Sequence, residues 1–157
     1  MNAALGLVAR HEFVSSMSDD FVHCGIQRCA RTAKNVYFEI GAGSGLYTFG
    51  NGTFLNELIE TVGAKNIFGN ESSWITVTPE AVIDANPDVI LVNTPGTNEA
   101  GLTAIEDVES RDGWDTITAV QNGAVYSIDN NASSRPSQNV IKALKEIAKA
   151  IYPDEYK

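Results

Sequence analysis

The chain has 157 residues, enough for one domain with a hydrophobic core of its own. Its 11 Lys and Arg face 20 Asp and Glu, a formal charge of −9, which argues against nucleic acid as a partner, because such binders cluster positive charge to displace counterions. The imbalance is uneven: residues 1–35 hold four basic and three acidic side chains, residues 36–157 seven basic and seventeen acidic, a balance suited to solubility or to docking on a basic partner.

Residues 1–35 form an atypical N-terminal segment. The apolar residues of "ALGLVARHEFVSSMSDDFVHCGIQRCARTAK" are spaced for broken helix, weakened by Gly6, Gly25 and a Ser-rich middle. Cys24 and Cys29 are too few for a disulfide framework. A zinc site would need two more ligands, and only His11 and His23 lie nearby, so ordinary thiols and no metal are expected. No apolar run is long enough to span a membrane. The start, "MNAALGLVARHEF", lacks a basic leader and shows no signal peptide, so the chain reads as cytoplasmic or as an excerpt of a longer precursor.

From Val36 the pattern sharpens. "NVYFEI" is β-branched and aromatic, a buried strand. "GTFLNELIETVG" puts Phe54, Leu55, Leu58, Ile59 and Val62 on one helical face, with Thr53 as N-cap and Gly63 as stop. "KNIFG" is a short strand. "VTPEAVIDANP" is a compact helix: Thr78 caps it, Pro79 opens it, Glu80 sits in the first turn where the dipole favours a carboxylate, and Pro87 ends it. "DVILVN" reads as a strand covered on both faces. "GLTAIEDVESR" is helical, "DGWDTI" a turn with a structural Trp114, and "GAVYSID" another strand. Val140, Ile141, Leu144, Ile147, Ala148 and Ile151 make the apolar stripe of a closing helix. Strands alternate with helices, which predicts an α/β fold: a three-layer, Rossmann-like lobe whose central, mostly parallel sheet is flanked by helices.

"EIGAGSG" invites an S-adenosylmethionine methyltransferase reading, since glycines at a strand end let backbone approach a cofactor, and "DVILVNTP" is similar to a strand-end Asn-x-Pro loop of amino-methylating enzymes. Three features oppose it. "LYTFGNGTF" delays the helix that should follow the glycines, with Gly50 and Gly52 as breakers. The next strand ends without a ribose-binding acid, since Glu71 falls in a loop. The chain closes on a helix, not on an antiparallel strand pair. No other catalytic constellation is present, and His is absent after Val36; no enzyme is expected. A bland alternative is a single-lobe module that binds a protein partner.

Five segments in fixed order carry a broader likeness: "VYFEI", "YTFGNGTFLNELIETVGAKNIF", "WITVTPEAVIDANPDVILVN", "GWDTITAVQNGAVYSID" and "SRPSQNVIKALKEIAKAIYP". From Val36 to Lys157 the chain resembles the C-terminal lobe of the helix-backbone (class III) substrate-binding proteins. These serve ABC importers of iron-siderophores, haem and vitamin B12. The resemblance implies two α/β lobes joined by a long helix, ligand clamped between them, and an extracytoplasmic site of work, in the periplasm or as a cell-surface lipoprotein. It implies no cofactor; the partners are a metal chelate and the ABC permease. The Gly41–Gly45 loop then lies at the cleft edge, with "YTFGNGTF" leading into the first helix.

The resemblance also implies roles for single residues. Trp74 falls where the family places an aromatic against the ligand, an economical way to bury apolar area; the competing reading is a core tryptophan. Tyr47, in a loop facing the cleft, would bond a ligand or cap an apolar pocket. Arg135, in "SRPS", matches a position that points at the cleft in siderophore binders, where its planar fork suits oxygen-rich chelates; the alternative is a cap or a surface ion pair. Glu80 matches a glutamate that docks on permease arginines, and it also stabilises its own helix by about 0.3–1 kcal/mol. With tyrosine the sole axial-ligand type left in the body, haem ranks below an iron-siderophore and then a corrinoid. Residues 1–35 lack the long, charged inter-lobe helix of the family, and the other lobe is missing, as in an expressed fragment or a gene shortened or misread at its start. A lone lobe would expose the surface that meets its partner, which favours self-association.

Overall fold

The structure, a computed structural model, describes residues 33–42, 45–130 and 140–154. Strand β1 (Asn35–Glu39) is its centre, with Val36, Tyr37 and Phe38 wholly buried. It lies between β4 (Lys65–Asn66) and β6 (Val89–Val92), and β7 (Val125–Ser127) completes a four-stranded sheet in the order β4-β1-β6-β7. All three pairings are parallel. Each residue of β6 is buried, which explains why "VILV" shows no alternation: helices cover both of its faces.

Register sorts the two faces. Tyr37 pairs with Ile90, and Ile90 with Val125, so these side chains share one face. There they pack with Val82, Val108, Trp114, Ile117 and Ala119. Alternation turns Phe38 and Leu91 to the opposite face. The closing helix (Val140–Ile151) packs on β6 and on α1 (Phe54–Thr61). The result is the three-layer lobe with a parallel sheet flanked by helices that the β/α alternation predicts.

The caps follow the sequence. Thr53 Oγ1 accepts from Asn56 N before α1, and Thr78 accepts from Ala81 N before α2 (Pro79–Ala85). Helix α2 ends earlier than Pro87 requires, because Asn86 takes the left-handed conformation at φ 42° and closes the last turn. Helix α3 (Ala104–Ser110) carries a capping box between Thr103 and Glu106. Thr103 N and Thr103 Oγ1 both donate to Glu106 Oε2, at 2.8 and 2.9 Å, and hold this carboxyl below the usual carboxylate range. A 3-10 turn (Trp114–Thr116) and α4 (Thr118–Gln121) follow, and α5 is the closing helix already described. Trp114 is fully buried, as its structural reading requires.

One prediction is corrected. "YTFGNGTF" is not a plain lead into the first helix, and Tyr47 is not on a loop. β2 (Gly41–Ala42), β3 (Leu46–Phe49) and β5 (Trp74–Val77) form a second, antiparallel sheet in the order β2-β3-β5. The glycines of "FGNG" suggested irregular backbone. Gly50 instead lets the strand end lie against another segment: a Cβ there would stand 2.1 Å from the Glu71 carbonyl oxygen.

Candidate functional site

The second sheet presents an aromatic face. Tyr47 pairs with Thr76 and Phe49 with Trp74; paired residues point the same way, and Tyr47 and Phe49 are two apart, so all four share one face. Phe49 is buried against Phe38 at a centroid distance of 5.4 Å. Trp74 stands edge-on to Phe49 at 5.9 Å yet remains 59% exposed, and Tyr47 is 42% exposed. They are the two exposed large hydrophobics among the described residues.

The backbone under Trp74 is fastened. Gly50 N donates to Ser73 O (2.8 Å), Ser73 N to Asn51 O (3.0 Å), and Asn51 N to Glu71 O (2.6 Å). Ser73 holds φ 65°, uncommon for a residue with a side chain. Trp74 thus has one rigid root, which lowers the entropy lost when something stacks on it.

A buried polar network lies at the carboxyl end of β1. Glu39, 3% exposed, is gripped by both arms of Arg111: Nη1 to Oε2 at 2.7 Å and Nη2 to Oε1 at 2.9 Å. Arg111 also donates from Nη2 and Nε to Asp107 Oδ2, at 2.6 and 3.2 Å. It lies over the Trp114 ring at 4.6 Å. Burial works against the guanidinium's charge, but the bonds and charge of Glu39, then Asp107, outweigh it and raise the pKa further. Tyr37 Oη donates to Glu39 Oε2 at 3.2 Å; burial first, then the Glu39 charge, pushes this phenol far above its ordinary range. Asp107 Oδ1 accepts from Asn98 Nδ2 at 2.6 Å, and Asn98 Oδ1 accepts from Ala100 N and Leu102 N. One chain of bonds therefore runs from the core phenol to the loop after β6.

Beside this network is an open groove of about 180 Å3 whose lining includes Glu39, Ala42, Thr94, Thr97, Asn98 and Asp107. Sequence reasoning saw Glu39 only as part of the glycine motif and did not single out Arg111. One signal was available: Arg111 is the lone basic residue between Lys65 and Arg135, within a strongly acidic stretch.

The structure describes three of the four predicted site residues. Tyr47 and Trp74 come together on one sheet face. Glu80 follows the strand that carries Trp74, exposed in the first turn of α2, with no ion pair among the described residues. Arg135 lies outside the described residues, as do Cys24, Cys29, His11 and His23. The glycine run leads from β1 into antiparallel strands, and the next helix begins only at Phe54, so the helix a methyltransferase glycine loop needs is not there.

Residues 10–132, more than half of the chain, match the model of the periplasmic binding protein family. The match begins inside the segment read above as atypical. The chain is 35% identical over 151 residues to YvrC of Bacillus subtilis (strain 168), an uncharacterized ABC transporter substrate-binding lipoprotein, covering 93% of this chain and 45% of that one. It is similar to a crystal structure from Staphylococcus epidermidis ATCC 12228, described as a possible iron-binding (periplasmic solute-binding) protein. That pair has a TM-score of 0.70 and 26% identity, over 96% of this chain and 59% of the other. The periplasmic vitamin B12-binding protein BtuF of Vibrio cholerae shares the fold, with a TM-score of 0.68 and 20% identity over 99% of this chain and 57% of that one. The chain thus spans about half the length of the proteins it matches.

Proposed function

The chain belongs to the periplasmic binding protein family, and from that premise we propose that it is the ligand-binding lobe of an ABC-importer substrate-binding protein that captures a metal chelate outside the cytoplasm. The family is one of binding proteins rather than enzymes. The observation that carries this reading is the exposed pair Tyr47 and Trp74 on one sheet face. The two exposed rings offer flat apolar area side by side, and flat aromatics suit the apolar flank of a chelate. An iron-siderophore is the first candidate and a corrinoid the second, with haem third. The iron-binding description of the staphylococcal relative, 26% identical, supports the first of these classes. Arg135 is proposed to meet the oxygen-rich side of such a ligand.

Glu80 is proposed as the contact to the permease. Its exposure and its lack of an ion pair among the described residues leave the charge available to a cationic partner. The apolar surface that would meet a second lobe offers a route to self-association.

A thermal-shift titration of this chain with a ferric trihydroxamate, cyanocobalamin and haemin tests the reading. Ligand at a hundred times its Kd adds about 2.7 kcal/mol to the folded state, so one of the three raises the melting temperature by several degrees. No shift with any of them contradicts it and favours the protein-interaction module.

A further inference from the structure

We propose that Asn66 is a positioning residue of the aromatic face: its buried side-chain amide fixes where the Trp74 ring stands, and through that how tightly a ligand stacks on it. The stacking ligand rests on the reading above; the placement of the ring does not.

Asn66 closes β4, beside Val36 of the central strand, and is 3% exposed. A buried primary amide needs partners for its donors and its acceptor. Here each bond goes to a different segment. Nδ2 donates to Phe49 O at 2.8 Å and to Asn56 Oδ1 at 3.1 Å, and Oδ1 accepts from Phe68 N at 3.1 Å. Asn56, in α1, is also buried and is steadied by a bond from its Nδ2 to Glu60 Oε1 at 3.0 Å.

Two of these bonds bear on Trp74 from different sides. Phe49 is the residue it pairs with across the antiparallel sheet and the ring it stands against. Phe68 belongs to the loop that runs into Trp74, and that loop is bonded onward: Glu71 N donates to Phe68 O at 2.9 Å, and Glu71 O accepts from Asn51 N. One amide of the parallel sheet thus ties the strand under the ring to the segment that carries it. A binding group keeps its geometry only when its neighbours lock it, and looseness of about 1 Å is enough to spoil a site.

The residue type separates this role from a local one. Accepting from an N–H two residues on is an ordinary Asx turn, which Ser also makes. The donors to Phe49 and Asn56 need the amide: an ionised Asp has none, and Ser has one on a shorter arm.

The test is fluorine NMR of the whole chain labelled with fluorotryptophan, its two tryptophan signals assigned with Trp74→Phe. Trp114, sealed in the core, is the internal reference. Asn66→Ser keeps the turn bond and loses the reach to Phe49. It should displace or broaden the Trp74 signal and leave that of Trp114 in place. In calorimetry it should weaken ferric trihydroxamate or cyanocobalamin, whichever binds the native chain, at least tenfold. Val125→Ala, on the far edge strand of the parallel sheet, destabilises the lobe through a cavity and should change neither the Trp74 signal nor the affinity. Asn56→Ala removes the acceptor that orients the Asn66 amide and should displace the Trp74 signal by less; it decides the matter if the serine variant does not fold. An unmoved Trp74 signal in Asn66→Ser, or an equal displacement in Val125→Ala, would overturn the proposal and leave Asn66 a turn residue. A displaced signal with native affinity would overturn its bearing on binding. If neither chelate binds the native chain, the capture reading falls, and the Trp74 signal still decides what places the ring.

Discussion

The two sheets of this lobe treat their functional groups in opposite ways. At the carboxyl end of the parallel sheet, Glu39, Arg111, Asp107 and Tyr37 bind chiefly to one another, and the Arg111 side chain is 16% exposed. On the antiparallel sheet, Trp74 rests on Phe49 and gives most of its surface to solvent. The first arrangement holds the lobe in shape; the second leaves aromatic surface exposed. Substitutions in the first should therefore register mainly as stability, and in the second mainly as affinity.

The largest expected effect is at Arg111. Arg111→Met leaves Glu39 buried without its cation, which costs about 3–5 kcal/mol. For a lobe of this size that is a fall in Tm on the order of 10–20 °C. Adding Glu39→Gln should recover part of the loss, because it removes the stranded charge. Urea denaturation of the two singles and the double measures the coupling; additive losses would mean that the pair is not a unit.

Trp74→Ala should do the reverse. It should change stability by less than about 1 kcal/mol, as exposed substitutions do, and weaken the best chelate at least tenfold in calorimetry. A large loss of stability with unchanged affinity would erase the contrast between the sheets.

The network also sets an alkaline limit. The Tyr37 pKa is raised in the folded state, so its contribution is whole below the phenol's unfolded value of about 10. Above that pH the unfolded chain loses a proton that the folded chain keeps, and stability falls by up to about 1.4 kcal/mol per pH unit. Tyr37→Phe should flatten this limb in urea denaturation series run at increasing pH. An unchanged slope would place the loss elsewhere.

The smallest effect concerns the cap of α3. Thr103→Ala breaks the capping box of α3 and should cost about 1 kcal/mol. The chelate should bind as before.

Local chemistry explains what was legible in the sequence. Thr53, Thr78 and Pro79 act on neighbours within a turn, and the apolar runs of β1 and β6 report burial on both faces. The second sheet was hidden because β3 and β5 are four residues each and far apart in sequence, with glycines between them. Its alternation is also broken, since Thr48 and Phe49 are both buried. The Glu39–Arg111 pair was hidden for the same reason, its partners being 72 residues apart. Trp74 and Tyr47 stood out in the sequence as aromatics beside glycine- and serine-rich stretches. That they share a face follows only from the pairing of strands, which no local pattern encodes.

The most direct test is tryptophan fluorescence of the chain titrated with a ferric trihydroxamate and with cyanocobalamin, alongside Trp74→Phe. The chain has two tryptophans, one exposed and one buried. The account predicts saturable quenching in the native chain that disappears in the variant, whose remaining Trp114 is sealed in the core. Quenching that persists undiminished in Trp74→Phe, or that never saturates in the native chain, would contradict the aromatic face as the site of capture.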